Sequence, residues 1–140
     1  MEGRDDLPAR LARRDRMMQT FGIELIAARP GACELQLTVT AEHLNAHGTC
    51  HGAVLYALAD CAFAFSCNAY GTVAVGIDTH MSFSLAANEG DRVRAVAEEV
   101  ARSRRLATYH VRIARHDTVI ATFTGTAYIT SRAHDEEPRL

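Results

Sequence analysis

Lysine is missing from this chain of 140 residues, and all 15 basic residues are Arg. That excludes Schiff-base chemistry on a lysine amine, and it excludes a P-loop, whose lysine holds phosphate. An excess of one charge is missing as well. The formal net charge is -2 at pH 7, so no bulk field draws the chain to a nucleic-acid backbone. Long hydrophobic runs are absent. The longest, residues 53–67, is interrupted by Asp60 and Ser66 and falls short of the roughly 20 residues a membrane span needs. The N-terminus, MEGRDDLPARLARRDRMM, is charged and has no apolar h-region, so no secretory signal is expected and the expected location is cytoplasmic. The four cysteines, Cys33, Cys50, Cys61 and Cys67, show no CxxC spacing and are expected as reduced thiols there. No GxSxG elbow, GxGxxG fingerprint or Walker sequence occurs, and there is no internal repeat or low-complexity tract.

What is present is the composition of one globular domain, 48% hydrophobic and 23% charged. Residues 7–20 read as a helix, with Leu7, Leu11, Arg14 and Met18 along one stripe and Pro8 in the first turn. The period then changes to two. Cys33, Leu35, Leu37 and Val39 alternate with Glu34, Gln36 and Thr38, which predicts a half-buried strand, paired with residues 22–28 across a turn at Arg29, Pro30 and Gly31. Residues 41–51 form a polar loop, and residues 52–70 read as a helix apolar nearly all round, hence a buried one. Four more strands follow, at 72–86, 92–102, 106–115 and 119–130, with connections short enough for hairpins at 88–91, 103–105 and 116–118. The expected organisation is an N-terminal helical segment over 1–20, one domain over 21–130, and a polar tail over 131–140 that frays. The fold class is α+β: an antiparallel sheet wrapped around one long central helix. A sheet covers that helix on one side only, so a second subunit is the simplest cover for the other.

Four features carry chemistry. Asp60 sits between Leu58-Ala59 and Cys61-Ala62-Phe63. Burying an unpaired carboxylate is costly, so this one either satisfies a structural need or is kept for catalysis with a raised pKa. His47-Gly48-Thr49-Cys50-His51-Gly52 leads into the helix start, where unpaired N–H groups and the positive dipole end can hold an oxyanion. Glycine before a helix also serves simply as a turn residue. Gly52 and Asp60 are eight residues apart, about 12 Å along a helix axis. They cannot reach one carbonyl from the same chain, so a joint site needs Asp60 from one subunit and Gly52 from another. His43, His47 and His51 stand at i, i+4, i+8. Asn45, Gly48 and the coming helix start place them in an irregular loop, so no metal site is assigned. Arg102-Ser103-Arg104-Arg105 is a basic hairpin: either a solvated turn, or a seat for a phosphorylated ligand such as coenzyme A.

The block Leu44-Asn45-Ala46-His47-Gly48-Thr49-Cys50-His51-Gly52, followed by Leu58-Ala59-Asp60 and Ala62-Phe63-Ala64, resembles the hotdog-fold acyl-CoA thioesterases of the phenylacetate-degradation (PaaI) type. The resemblance implies a hotdog fold and a homodimer with two interfacial sites, assembled into a homotetramer. It implies hydrolysis of an acyl-CoA such as phenylacetyl- or hydroxyphenylacetyl-CoA, with no cofactor beyond the coenzyme A of the substrate and product. From the charge and the short apolar runs, no nucleic acid or membrane is expected as a partner. Carried onto this chain, Asp60 is the general base or nucleophile, the Gly52 N–H polarises the carbonyl, and Asn45 and His51 position substrate or water. Arg102, Ser103, Arg104, Arg105 and Cys61 are the substrate-binding candidates. Ala53 replaces the family's second Gly, Cys61 stands where Thr or Ser is usual, the stretch after Phe83 lacks an Arg-Pro, and Ser103 replaces a frequent Gly. The alternatives are a hotdog enoyl-CoA hydratase or dehydratase, a non-catalytic acyl-CoA-binding module, and a zinc-binding structural protein. With aromatic residues at 6%, Tyr56, Phe63, Phe65, Phe83 and Tyr109 are the candidates to meet an acyl group, and sequence alone does not place them.

Overall fold

The structure is a computed structural model that describes residues 6–134. Two short helices come first, α1 (Leu7–Arg14) and α2 (Arg16–Phe21). They correct the single helix expected over 7–20. Asp15 interrupts it with an extended backbone, φ -82° and ψ 99°, and its carboxylate accepts the Met18 N–H at 2.9 Å, capping α2. A hairpin follows, β1 (Glu24–Arg29) and β2 (Ala32–Thr38). The alternation read in β2 holds, with Cys33, Leu35 and Leu37 buried. A single 3-10 turn at Ala41–His43 precedes α3 (Gly52–Asn68). The remaining strands are β3 (Thr72–Phe83), β4 (Arg92–Arg102), β5 (Leu106–Arg115) and β6 (Thr118–Ala133).

All six strands form one sheet in the order β1-β2-β4-β5-β6-β3, and every neighbouring pair is antiparallel. The hotdog expectation is met: the sheet curls around α3. One connection is corrected. Residues 88–91 do not join β3 and β4 in a hairpin, because β3 pairs with β6 and β4 pairs with β2. The free edge of β2 takes β4 along its length, from Ala32↔Glu98 to Thr38↔Arg92. The segment between β3 and β4 is tied down on the way. Ala87 O accepts from Cys50 N at 2.8 Å, and Val39 exchanges bonds with Gly90 N and Asp91 O. The tail expected to fray from residue 131 is strand as far as Ala133, which pairs with Thr72, and the Thr130 hydroxyl donates to Val73 O at 2.6 Å. Residues 135–140 of that tail, and residues 1–5 of the N-terminal segment, lie outside the described residues.

The core lies between the concave sheet and α3. Phe63 projects from the helix, with Tyr109 and Phe123 edge-on or tilted beside it at 5.6 and 5.8 Å. It meets the sheet where two side chains are missing. A Cβ at Gly76 would stand 2.9 Å from Phe63 Cε1, and one at Gly125 would stand 3.1 Å away. The sheet and the N-terminal helices cover most of α3 but leave one row open: Gly52, Tyr56, Asp60 and Ala64, spaced four apart on one face, are half-buried or exposed, as is the adjacent Ala53.

Candidate active site

At the start of α3 the helix-capping bonds are made, but one backbone donor is left over. The His51 side chain caps the helix, its Nδ1 accepting from Ala53 N at 3.0 Å. The His51 carbonyl takes Val54 N at 3.0 Å and Leu55 N at 3.4 Å. Among the described residues, nothing accepts the Gly52 N–H. A free donor at the positive end of a helix suits a developing oxyanion. The missing Cβ of Gly52 has a packing reason as well, because a Cβ there would press on the Phe83 ring at 3.3 Å.

The loop before the helix is braced by Asn45. Its Oδ1 accepts from His47 N at 2.9 Å and Thr49 N at 3.1 Å, and its Nδ2 donates to Thr49 Oγ1 at 3.1 Å. Asn45 and His51 therefore hold the loop and the helix start in shape. His51 leaves its Nε2 open, with Nδ1 committed to the backbone. His43 is structural. Its Nδ1 accepts from Thr40 N at 3.0 Å, which leaves Nε2 to donate to Phe21 O at 2.9 Å. The i, i+4, i+8 histidine row is thus not a ligand set, and among the described residues no three His, Cys, Asp or Glu side chains gather to hold a metal ion.

Asp60 lies two helical turns on, half-buried, with no hydrogen-bond or ion-pair partner among the described residues. Its pKa is raised above the ordinary carboxylate value, first by burial and second by the nearby charge of Asp15. Both push toward the protonated form, so the carboxylate is a stronger base when ionised. The sequence reading missed Asp15; its signal was an Asp inside an arginine-rich helical pattern, where it reads as N-cap rather than helix interior. Cys61, the next residue, is buried and its thiol is pushed up to about 12, by burial and then by Asp15 and Asp60. It is a poor nucleophile in that state. Tyr56 stands between Gly52 and Asp60 on the open row, and its hydroxyl pairs with that of Thr79 on β3 at 2.6 Å.

The basic hairpin divides. Arg102 is engaged: it donates to Glu99 Oε1 at 3.3 Å and stacks 3.6 Å over the Tyr70 ring. Glu99 also accepts from Tyr70 and Tyr109, each at 3.0 Å. Ser103 closes the turn through bonds with Leu106. Arg104 and Arg105 are exposed, with no ion pair among the described residues. The structure therefore brings together Asn45, His51 and Gly52 at one end of α3. It leaves Asp60 in the middle of the helix and the arginines toward its far end.

Residues 47–122 match a family described as the thioesterase superfamily. The chain is 32% identical over 115 residues to the acyl-coenzyme A thioesterase PaaI of Escherichia coli K12, covering 81% of this chain and 82% of that protein. The solved structure of the PaaI protein from the phenylacetic acid degradation operon of E. coli superposes with a TM-score of 0.87 at 29% identity, covering 89% of this chain and 91% of the other. The TT0310 protein from Thermus thermophilus superposes with a TM-score of 0.80 at 43% identity, covering 82% and 97%.

Proposed function

The chain belongs to the thioesterase superfamily, as an acyl-CoA thioesterase of the hotdog fold and PaaI type, and on that footing we propose that it hydrolyses aryl-acetyl-CoA thioesters, phenylacetyl- or hydroxyphenylacetyl-CoA, at sites shared between two subunits. Coenzyme A enters as part of the substrate and leaves as product, and the reaction uses no other cofactor. One observation supports the shared site. A single open row of α3 holds an unclaimed N–H at Gly52 and an unpartnered carboxylate at Asp60, about 12 Å apart along the axis. One chain cannot bring both to one carbonyl, and two antiparallel copies can.

The sheet offers the surface for such a pairing. β3 is an edge strand of 12 residues, and Val75 and Ile77 on it are 47% and 59% exposed. A long apolar edge left bare invites another strand. Pairing β3 with its own copy about a two-fold axis sets the two α3 helices antiparallel and Gly52 beside Asp60 of the partner subunit.

In this arrangement the Gly52 N–H donates to the thioester oxygen as it gains charge. Asp60 of the partner subunit removes a proton from the attacking water, or attacks the carbonyl itself to give a mixed anhydride that water then opens. Either route consumes one water and releases the free acid and the coenzyme A thiol. Asn45 and His51 keep the donor aimed. Arg104 and Arg105 face the phosphates, while Ser103 and Arg102 fix the hairpin that carries them.

The test is thiol release across aryl-, short- and long-chain acyl-CoAs, joined to a complementation experiment. Gly52→Pro removes the donor at a helix position whose backbone tolerates proline, while pressing its Cβ on the Phe83 ring, and Asp60→Asn removes the base. Each homo-oligomer should be nearly inactive. Co-expressed, the two should recover about a quarter of wild-type activity, because half of randomly mixed dimers carry one intact site of two. Absence of recovery, or a monomer that is fully active, sinks the shared site. Enoyl consumption without thiol release sinks the hydrolase.

A further inference from the structure

The Phe83 ring stands beside the free donor, half covered and half open. It closes the end of β3 against the start of α3, with Cζ and Cε1 at 3.3 and 3.4 Å from the Cβ position of Gly52. That places it within one side chain's width of the Gly52 N–H. Yet the residue is 51% exposed. The aromatic pairs among the described residues join Phe21 to His43, Tyr56 to Phe123, and Phe63 to Tyr109 and Phe123; Phe83 is in none of them. Leu85, two residues on, is 50% exposed and extends the apolar surface at this end of the strand. Of the five aromatic residues the sequence offers for acyl contact, Phe63, Phe65 and Tyr109 are buried in the core and Tyr56 is bonded to Thr79. Phe83 lies against the Cβ position of Gly52 with half its surface uncovered, whereas Tyr56, 37% exposed on the same row, has its hydroxyl tied to Thr79.

We propose that Phe83 is the wall that reads the acyl group, its outer face receiving an aromatic ring whose carbonyl oxygen is held by the Gly52 N–H. The inference rests on the thioesterase reading above and adds to it the residue that favours aryl over short aliphatic substrates. An aryl-acetyl group has one methylene between carbonyl and ring, which lets the ring turn out of the carbonyl plane and lie edge-on or offset against Phe83, as aromatic pairs prefer. An acetyl group is too short to gain from the same surface.

The experiment compares wild type, Phe83→Leu and Phe83→Ala on phenylacetyl-CoA and acetyl-CoA, with the mass in solution of each. Phe83→Ala should lower kcat/KM for phenylacetyl-CoA by about tenfold to a hundredfold, from lost burial and ring contact. It should change the acetyl-CoA value by less than about threefold. Phe83→Leu, which keeps apolar volume without a π face, should fall between, and it decides the matter if the alanine variant does not fold. Equal losses on both substrates, or no loss on either, overturn the wall. Variants that fall to monomers overturn it too, since the ring is then covered by a subunit rather than a substrate. Wild-type protein that releases no thiol from any acyl-CoA overturns the thioesterase reading and the wall with it, whereas an active wild type with unselective variants overturns the wall alone.

Discussion

At its C-terminal end α3 leaves almost nothing unpaired, and at its N-terminal end it leaves a donor and an aromatic ring open. Asn68 donates to Ala64 O and Ala74 O, and its Oδ1 receives Ala74 N at 2.9 Å and lies 2.7 Å from His134 Nε2. Ser66 O takes Gly31 N, and the Ser66 hydroxyl turns back to Phe63 O. Nearby, Glu99 gathers two tyrosines and an arginine. At the other end the Gly52 N–H waits beside Phe83. A folded chain satisfies buried polar groups wherever stability is the only demand. The contrast therefore separates a stretch that holds the helix in place from the stretch where the proposed site lies.

The two ends should answer mutation differently. The largest effect is expected at the chemistry: Asp60→Asn should lower kcat by roughly 10²–10⁴, the usual worth of a general base. Undiminished turnover of acyl-CoA by that variant removes Asp60 from the mechanism. Gly52→Pro should cost about 10²–10³ in kcat, the value of one oxyanion donor, with Tm lowered as well, because the added Cβ meets the Phe83 ring at 3.3 Å. At the sealed end the pattern reverses. Asn68→Ala should cost about 2–4 kcal/mol of stability, because Ala74 N–H and two carbonyls lose a buried partner, while kcat per folded molecule stays near wild type. Chemical denaturation and active-site-normalised rates check this pair, and a collapse of kcat in Asn68→Ala would erase the distinction between the ends.

Two smaller effects follow from the raised pKa of Asp60. A carboxyl whose folded pKa exceeds its unfolded one binds its proton more tightly in the native state. Stability is then highest below the unfolded pKa and declines as pH rises through the folded value. Asp60→Asn should therefore raise Tm near neutral pH, with the gain fading as the buffer approaches about pH 3, where both states of the wild type are protonated. Asp15→Asn keeps an oxygen for the Met18 N–H but removes the charge facing Asp60. The acid limb of the pH–kcat profile should move to lower pH, with the plateau rate retained. A limb that stays in place shows that Asp15 does not act on Asp60.

Much of this was legible beforehand, and for physical reasons. β4 and β5 matched their expected ranges because an alternating pattern has only one period to read. Asp60 and Gly52 stood out because a charge in an apolar run and a glycine at a helix start are local signals. The partners of β3 were not local. Nothing in residues 84–91 says that the chain crosses past Cys50 and Val39 instead of turning back, because that choice is made by the open edge of β2. The break at Asp15 hid inside a continuous helical stripe. Phe83 was one aromatic among several until its ring was seen against Gly52. Arg102 looked as free as its neighbours, since Glu99 and Tyr70 reach it only once β4 bulges between Glu99 and Ala101.

The two bare positions under Phe63 set how near the helix rides to the sheet. With alanine at Gly76 a methyl group would stand 2.9 Å from the ring edge, so that Phe63 would have to turn or α3 to roll, whereas at Gly125, 3.1 Å away, the ring need only give slightly. Because the helix is stiff, the roll would carry Gly52, Tyr56 and Asp60 together, like marks along one edge of a ruler. In the proposed shared site the spacing between donor and base is thus gauged, in part, by atoms that are not there.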